Sequence, residues 1–236
     1  MSTALIIFAK APVAGMAKTR LIPALGAEGA AKLHGLLLEH TIQRAVASAC
    51  FPIYLFTPEN NAHPFIDHLL ISYPLIQRVQ KGVDLGERME NALLSVLSEN
   101  QSGALLIGSD CPAIDADILE RCCLSLESHD AVFIPAADGG YTLVGLQFYD
   151  STLSIGASVE DSVEGSAGAS FGGIFENIEW GSDRVMQQTR SQLKALSFRW
   201  HEPLTLWDVD RPEDLVKLCQ QFPYLCGGLS LRADKS

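Results

Sequence analysis

Three cations lie close together near the start of the chain, in a stretch with no acidic residue before Glu28. Lys10, Lys18 and Arg20 follow an apolar run, and a proline and Gly15 interrupt the loop that carries them. A flexible cationic loop between a buried strand and a helix is a common way to hold phosphate groups. Because the whole chain has a net charge of −11, this local excess of positive charge predicts a phosphate or nucleotide site. The alternative is a solvated loop whose cations pair with carboxylates elsewhere in the fold.

A second chemical signal is a carboxylate at the end of an apolar run. Asp110 follows Leu-Leu-Ile-Gly-Ser and precedes Cys-Pro, which turns the chain away. A carboxylate at the carboxyl end of a buried strand is well placed to hold a hard cation such as Mg²⁺ or Mn²⁺. Such a cation would bridge phosphate oxygens and offset the charge of a leaving group. The alternative for Asp110 is a turn or a helix cap, because Asp is frequent in both.

Two further carboxylates, Asp208 and Asp210, lie roughly 100 residues later along the chain. Alternation along a strand would place both side chains on one side, so both could approach the same metal as Asp110. For Asp210 a structural role competes with this one. Asp210 precedes Glu213 by three residues and a proline follows, which resembles a capping box at a helix start.

Two glycine-containing motifs complete the set of candidate site residues. Asp138-Gly139-Gly140-Tyr141 lies between two apolar runs, and paired glycines allow either a tight turn or the close approach of a ligand. Asp138 could hydrogen-bond an acceptor hydroxyl or act as a base, with Gly139, Gly140 and Tyr141 beside the acceptor. Arg88 stands near the predicted start of a helix and could face a phosphate or sugar. The alternatives are an ordinary hairpin turn and a salt-bridged surface arginine.

Strands and helices must bring these residues to one place, and the hydrophobic pattern of the sequence predicts such strands and helices. Short apolar runs alternate with segments of helical periodicity, which predicts an α/β fold with a mainly parallel sheet covered on both faces. We expect one domain over residues 1–221, a flexible Gly- and Ser-rich insertion at 151–173, and a C-terminal tail at 222–236. Strands are predicted at 4–8, 52–57, 75–79, 104–107, 131–135 and 141–146, and the main helices at 28–49, 85–97, 115–126, 183–195 and 212–221.

Composition limits the classes of function. The acidic balance argues against non-specific nucleic-acid binding, which needs a basic face. No apolar run reaches the roughly 20 residues that span a bilayer, and the start lacks the pattern of a signal peptide. We therefore expect a cytoplasmic protein whose six cysteines are reduced and mostly structural. His34 and His40 are expected to be packing or surface residues on a helix.

Five motifs occur in an order that resembles a known family. They are Phe-Ala-Lys-x-Pro-x-x-Gly-x-x-Lys-Thr-Arg-Leu at 8–21, Asp-Leu-Gly-Glu-Arg-Met at 84–89, Gly-Ser-Asp-Cys-Pro at 108–112, Asp-Gly-Gly-Tyr at 138–141 and Asp-Val-Asp-x-Pro-Glu-Asp-Leu at 208–215. The chain resembles bacterial GT-A-type glycosyltransferase-like proteins assigned to arsenosugar biosynthesis. These are distant relatives of the molybdenum-cofactor and phospholactate guanylyltransferases. The resemblance covers roughly residues 4–148 and 174–216.

The resemblance implies a three-layer α/β/α GT-A fold, that of the nucleotide-diphospho-sugar transferases. It places the nucleotide at the first loop, with a divalent metal at Asp110, and the loop residues concerned are Lys10, Gly15, Lys18 and Arg20. Two features depart from the family pattern. The 151–173 segment is longer than the corresponding connection, and the Gly-Ser-Asp-Cys motif carries one carboxylate where many GT-A glycosyltransferases have Asp-x-Asp.

Taken together, the residues and the resemblance predict a metal-dependent glycosyltransferase. It would use a nucleotide-sugar donor, a small hydroxylated acceptor and Mg²⁺ or Mn²⁺, with Asp110 and Asp138 as the catalytic carboxylates. A nucleotidyltransferase that uses an NTP and releases pyrophosphate would need the same loop and metal. A third possibility is a nucleotide-binding module without catalysis, in which the carboxylates are purely structural.

Overall fold

The apolar runs of the sequence become the strands of one seven-stranded sheet in the computed structural model, which describes residues 3–59, 61–99, 101–147 and 173–229. The order of the strands across the sheet is β3-β2-β1-β4-β6-β5-β7. The strands are β1 (Thr3–Phe8), β2 (Ile53–Thr57), β3 (Leu75–Val79), β4 (Gly103–Ile107), β5 (Ala131–Pro135), β6 (Tyr141–Gln147) and β7 (Trp200–His201).

The sheet is mainly parallel, as the sequence predicts, and β6 is the exception. β1 pairs in parallel with β2 and β4, whereas β6 runs antiparallel to both β4 and β5. Gly145 of β6 faces Leu105 and Val132 on the neighbouring strands, and a Cβ at this position would lie 2.4 Å from the Leu105 side chain. Only glycine therefore lets three strands meet at this register.

The helices cover both faces of the sheet. They are α1 (Ile22–Val46), α2 (Pro64–Ser72), α3 (Leu85–Leu97), α4 (Ala116–Ser125), α5 (Val185–Ala195), α6 (Pro212–Gln221) and α7 (Pro223–Cys226). α1 is interrupted at Gly26, whose φ of 70° is not helical, so its long part begins close to the predicted start at 28, and a short helical turn preceded by the 3₁₀ turn at Thr19–Leu21 leads into it. Asp84 and Asp115 begin α3 and α4 with side-chain caps, each accepting a backbone N–H at 2.9 Å, so the predicted cap at Asp115 is confirmed.

Strand alternation divides the core into two halves. Leu5 and Ile7 point to the face covered by α1, α2 and α4, whereas Ala4 and Ile6 point to the face covered by α3 and α5. All four side chains are fully buried. Burial of each Leu or Ile contributes about 1.5–3 kcal/mol to folding, and the central strands are thereby fixed as a rigid base for the loops at their carboxyl ends.

The C-terminal part of the described chain differs from the prediction in two ways. Pro223–Cys226, within the predicted tail, forms α7, and its Leu225 is buried in a cluster shared with α1. Cys219 and Cys226 form a disulfide bond, so the expectation that all six cysteines are reduced is wrong for this pair. The two sulfurs meet because α6 ends and α7 begins between them, which brings their Cα atoms to 5.5 Å.

The predicted insertion at 151–173 lies outside the described residues except for Gly173. Among the residues that the structure describes, no helix has the length and apolar character needed to cross a membrane.

Candidate functional site at the carboxyl edge of the sheet

The loop after β1 is held to the rest of the molecule by one buried lysine. Lys18 adopts a left-handed backbone conformation, with φ of 49°, and its side chain is 3% exposed. Its ammonium lies 2.7 Å from Oδ1 of Asp110 and donates a hydrogen bond to the carbonyl oxygen of Val209. The backbone N–H of Val209 in turn donates to the carbonyl of Asp110 at 2.8 Å. Three segments distant in sequence are thus joined at one point.

The other two cations of the loop are exposed and also have partners. Arg20 forms an ion pair with Asp210, and hydrogen bonding to this carboxylate, followed by its charge, raises the pKa of Arg20. Lys10 donates from Nζ to the carbonyl of Met16 at 2.9 Å, and Gly15 supplies the turn between them with φ of 80°. Lys18 and Arg20 therefore do pair with carboxylates, but those carboxylates are themselves predicted site residues.

Asp110 is held ionised by its neighbours. Burial raises the pKa of its carboxyl group, but the charge and hydrogen bond of Lys18 more than offset this effect, so the pKa is lowered. Its side chain remains 45% exposed, which leaves the carboxylate open on one side. It is not a helix cap, because Asp115 has that role in α4.

His34 on α1 is a site residue that the sequence analysis assigned only to packing or the surface. It is buried, its Nε2 lies 2.9 Å from the carbonyl of Lys10, and its Nδ1 lies 3.9 Å from Oδ1 of Asp110. Burial, the largest influence, lowers the pKa of His34, which favours the neutral ring. The signal that could have identified it is its position on the helix that directly follows the cation loop.

Beside these residues opens a cavity of about 600 Å³, which we call the acidic pocket. Its wall combines aromatic rings with carboxylates. The aromatic residues are Tyr141, Trp180 and Trp207; the acids are Asp138, Asp183, Asp208, Asp210 and Asp214; and the bases are Arg20 and Arg211. The carboxylates outnumber the cations, so the pocket concentrates the negative charge of the chain at this edge.

The Asp138–Tyr141 motif forms one wall of the acidic pocket, with a different task for each residue. Oδ1 of Asp138 accepts the N–H of Gly140 at 3.0 Å, which closes the turn between β5 and β6. Gly139 faces the start of α5, where a Cβ would lie 2.0 Å from the carbonyl oxygen of Asp183. Asp138, Gly140 and Tyr141 line the pocket, whereas Gly139 fixes the turn against the chain before α5.

Asp208 is a carboxylate whose pKa is raised. Burial raises its pKa to about 6, and the charges of Asp138 and Asp110 add to the effect. Strand alternation was predicted to place Asp208 and Asp210 on one side of the chain, and this reason is wrong. The residues after the bridge at Leu206 form no strand, yet both carboxylates line the acidic pocket.

The helix after these two aspartates begins differently from the sequence reading. Arg211 is the first flanking residue of α6, and the carboxylate of Asp214 accepts the N–H groups of Asp210 and Arg211 at 3.0 and 2.7 Å. The predicted pairing of Asp210 with Glu213 is therefore wrong by one position. As a result, the side chain of Asp210 remains available to Arg20.

Arg88 stands apart from this group. Its Nε donates to the carbonyl of Gly82 at 3.1 Å, which closes the loop before α3, and it does not line the acidic pocket. Its predicted contact with a phosphate or sugar stays a prediction.

The donor set can be tested against the predicted divalent cation. Within residues 3–59, 61–99, 101–147 and 173–229, no group of three or more His, Cys, Asp or Glu side chains could hold a metal ion. Asp210 is engaged by Arg20 and Asp110 by Lys18, whereas burial, with the charges of Asp138 and Asp110, raises the pKa of Asp208. Mg²⁺ is often held by one or two carboxylates together with substrate phosphates, and Asp110 and Asp208 suit that mode of binding.

Comparison with solved structures shows the same fold in other proteins. A protein from Desulfovibrio desulfuricans G20, provisionally assigned as a nucleotide-diphospho-sugar transferase, matches with a TM-score of 0.77 and 24% identity over 98% of this chain and 92% of that chain. A cytidylyltransferase from Leptospira borgpetersenii matches with a TM-score of 0.54 and 14% identity over 99% and 100% of the two chains. CMP:2-keto-3-deoxy-manno-octonic acid synthetase, complexed with CTP, matches with a TM-score of 0.53 and 9% identity over 95% and 99%.

These matches confirm the predicted nucleotide-diphospho-sugar transferase fold. No curated protein sequence matches the chain. The sequence profile of one family matches residues 41–182, which is more than half of the chain and includes Asp110 and the Asp138–Tyr141 motif. The chain therefore belongs to the bacterial family described as "Uncharacterized protein conserved in bacteria (DUF2064)".

Proposed function

We propose that the protein is a metal-dependent glycosyltransferase that uses a nucleotide-sugar donor and a small hydroxylated acceptor. The observation that carries the proposal is the contact of the cation loop with Asp110, through Lys18, and with Asp210, through Arg20, beside the acidic pocket. In open α/β sheets, ligands bind outside the carboxyl ends of the strands, which is where this group lies.

The ion pairs of the site suggest how a nucleotide diphosphate would be accommodated. Its phosphates would accept hydrogen bonds from Lys18 and Arg20 in place of Asp110 and Asp210. The carboxylates released in this way, with Asp208, are the oxygen donors that Mg²⁺ or Mn²⁺ requires. When bound, the cation would neutralise the departing diphosphate. Each charge in the site would then exchange one partner for another, and none would be left uncompensated.

The acidic pocket is the proposed acceptor site. Its volume of about 600 Å³ lies within the range of about 300–1,000 Å³ typical of small-molecule sites. The rings of Trp180 and Tyr141 offer apolar surface to one face of a sugar-like acceptor. Asp138 would take the proton of the acceptor hydroxyl as that oxygen attacks the anomeric carbon, while the bond from this carbon to the diphosphate breaks.

A second candidate function is nucleotidyl transfer, favoured by the neighbours of the same fold that are cytidylyltransferases, one of them complexed with CTP. In this reaction an acceptor oxygen would attack the α-phosphate of an NTP, and pyrophosphate would leave. The cation loop and the carboxylates would keep their roles, and the acidic pocket would receive the acceptor.

A binding experiment separates the two donors. UDP-, GDP-, CDP- and TDP-sugars and the four NTPs are each tested for a shift in Tm, with and without Mn²⁺. Stabilisation rises with ligand concentration relative to Kd, so a glycosyltransferase should be stabilised more by one nucleotide sugar than by any NTP. Greater stabilisation by an NTP would overturn the glycosyl-transfer proposal in favour of nucleotidyl transfer.

Turnover is then measured by mass spectrometry, with the stabilising donor and a panel of small alcohols and sugars. Release of a nucleoside diphosphate supports glycosyl transfer, whereas release of pyrophosphate supports nucleotidyl transfer. Asp138→Asn should abolish turnover and leave donor binding intact. Asp115→Asn is the matched control, because Asn also caps helices well and this residue precedes α4 and does not line the acidic pocket. Donor binding without turnover of any acceptor would favour the non-catalytic module.

A further inference from the structure

Two cysteine thiols face each other at the opposite edge of the sheet from the acidic pocket. Cys50 lies between α1 and β2, and Cys123 lies on α4, 73 positions later in sequence. Their Sγ atoms are 2.9 Å apart, in hydrogen-bond contact. This separation exceeds the S–S bond length of about 2.05 Å by only about 1 Å. Closing the pair therefore requires the two sulfurs to approach each other by about 1 Å.

A path from solvent reaches this pair. Cys50 is fully buried, but Cys123 is only partly buried and lines a cavity of about 280 Å³. Ala49, the neighbour of Cys50, lines the same cavity, together with Thr3 and Ser102, which mark the amino ends of β1 and β4. The cavity has room for a small oxidant, and it shares no lining residue with the acidic pocket.

The contact between the two sulfurs shifts their pKa values in opposite directions. The hydrogen bond from Cys123 is the largest influence on Cys50 and lowers its pKa, despite burial and the nearby charge of Glu120. The same contact, with burial, raises the pKa of Cys123. Burial raises the pKa of Cys111 to about 11 and that of Cys122 to about 12. The thiolate is the reactive form of cysteine, so the contact favours Cys50 as the attacking thiolate of the pair.

We propose that Cys50 and Cys123 form a site of reversible oxidation by small hydroperoxides. In the first step the Cys50 thiolate attacks one oxygen of hydrogen peroxide, the O–O bond breaks, and Cys50 sulfenic acid and hydroxide are formed. In the second step Cys123 attacks the Cys50 sulfur, the S–O bond breaks, and a disulfide and water are formed. The peroxide gains the two electrons that the thiols lose, and a dithiol reductant reverses the change.

The test is differential alkylation of the full-length protein after exposure to hydrogen peroxide at pH 8, followed by peptide mass spectrometry. A thiol of pKa about 11 is about one thousandth ionised at pH 8, whereas one at or below the usual value of about 8.5 is about one quarter ionised or more. We therefore expect Cys50 and Cys123 to be lost from the alkylatable pool together, at least about a hundredfold faster than Cys111. A Cys50–Cys123 cross-linked peptide should appear and then disappear after treatment with dithiothreitol.

Variants identify the role of each sulfur. Cys123→Ser should leave Cys50 as a sulfenic acid that a dimedone probe captures, whereas Cys50→Ser should leave Cys123 as slow as Cys111. Cys122→Ser is the matched control, because it changes the adjacent buried thiol and should not alter the cross-link. If a variant fails to fold, the wild-type chain is compared in buffer and in guanidinium chloride. The faster oxidation of Cys50 and Cys123 relative to Cys111 should vanish in the denaturant. Equal oxidation of all the free thiols in the native protein, or no cross-linked peptide, would overturn the proposal.

Discussion

The two residues of the Lys18–Asp110 ion pair are expected to contribute unequally to the free energy of unfolding. The Lys18 side chain is 3% exposed, whereas that of Asp110 is 45% exposed. Replacing the carboxylate by an amide leaves a buried ammonium whose acceptors, the Asn oxygen and the Val209 carbonyl, are both neutral. Removing the ammonium instead leaves a carboxylate that water can reach. Asp110→Asn should therefore destabilise the protein more than Lys18→Met does.

The expected magnitudes follow from these exposures. Leaving one partner of a fully buried pair costs about 3–5 kcal/mol, so we expect a loss of about 3 kcal/mol for Asp110→Asn. For Lys18→Met we expect about 1–2 kcal/mol, because solvent screens the exposed side of Asp110. In a chain of this size each kcal/mol shifts Tm by about 2–4 °C. The double variant should lose less than the sum of the single variants, with a coupling of about 1–3 kcal/mol.

The assay is urea unfolding followed by circular dichroism, with Arg184→Met as the control. Arg184 pairs with Glu179 at the surface, where both side chains are more than half exposed, so its loss should cost at most about 1 kcal/mol. A larger loss for Lys18→Met than for Asp110→Asn, or strict additivity in the double variant, would refute the reasoning from burial.

The pair also has a defined dependence on pH. The pKa of Asp110 is lowered in the folded protein, since the charge and hydrogen bond of Lys18 outweigh the effect of burial. Its stabilising contribution should therefore be fully present above the unfolded carboxyl pKa of about 3.9. The contribution is lost as the pH falls through the lower value of the folded state. The difference between wild type and Asp110→Asn should therefore shrink below about pH 4.

Two further predictions concern the acidic pocket. Gly139→Ala should cost at least about 2 kcal/mol in urea unfolding, because a Cβ would collide with the Asp183 carbonyl and φ is 95°. The control Gly15→Ala, with φ of 80° and open space around the Cβ, should cost only the backbone strain of about 1–2 kcal/mol; equal losses would contradict the collision. Asp208 has a folded pKa of about 6, above its unfolded value of about 3.9, so stability is lost as the pH rises from about 4 to about 6 and stays at the lower level above that. Asp208→Asn should therefore raise stability at pH 8 and change it little below about pH 4, and the opposite order would contradict the raised pKa.

The fold could be predicted from the sequence because its strands are short, apolar and separated by helices of clear periodicity. The central strands β1, β2 and β4 are buried at nearly every position, so their residues are apolar on both faces. The cap at Asp115 could also be predicted, because its side chain accepts a hydrogen bond from the backbone N–H of Ile118, three residues later in the chain. In both cases the pattern is local, and the tertiary structure does not override it.

The candidate site was predicted less completely, because its contacts join distant segments. The sequence showed that Lys18, Asp110 and Asp210 were chemically unusual, but not that Lys18 pairs with Asp110 or that Arg20 pairs with Asp210. His34 has the appearance of a helix packing residue until the loop carbonyl of Lys10 is placed against it. The cap at Asp214 was misassigned by one residue, because two acids follow Pro212 and either could reach back.

The bonds from Lys18 to Val209 and from Arg20 to Asp210 span 191 and 190 positions of sequence. A ribosome adds about 5–20 residues each second, so about 10–40 s pass between the synthesis of the first and last members of each bond. During that time β1 to β6 can already pair, because the last of these strands ends at Gln147. A nascent or truncated chain that ends before Asp208 would therefore contain most of the sheet but would lack Val209 and Asp210, the partners of Lys18 and Arg20 in these bonds. The site can therefore be completed only after Val209 and Asp210 have been synthesised.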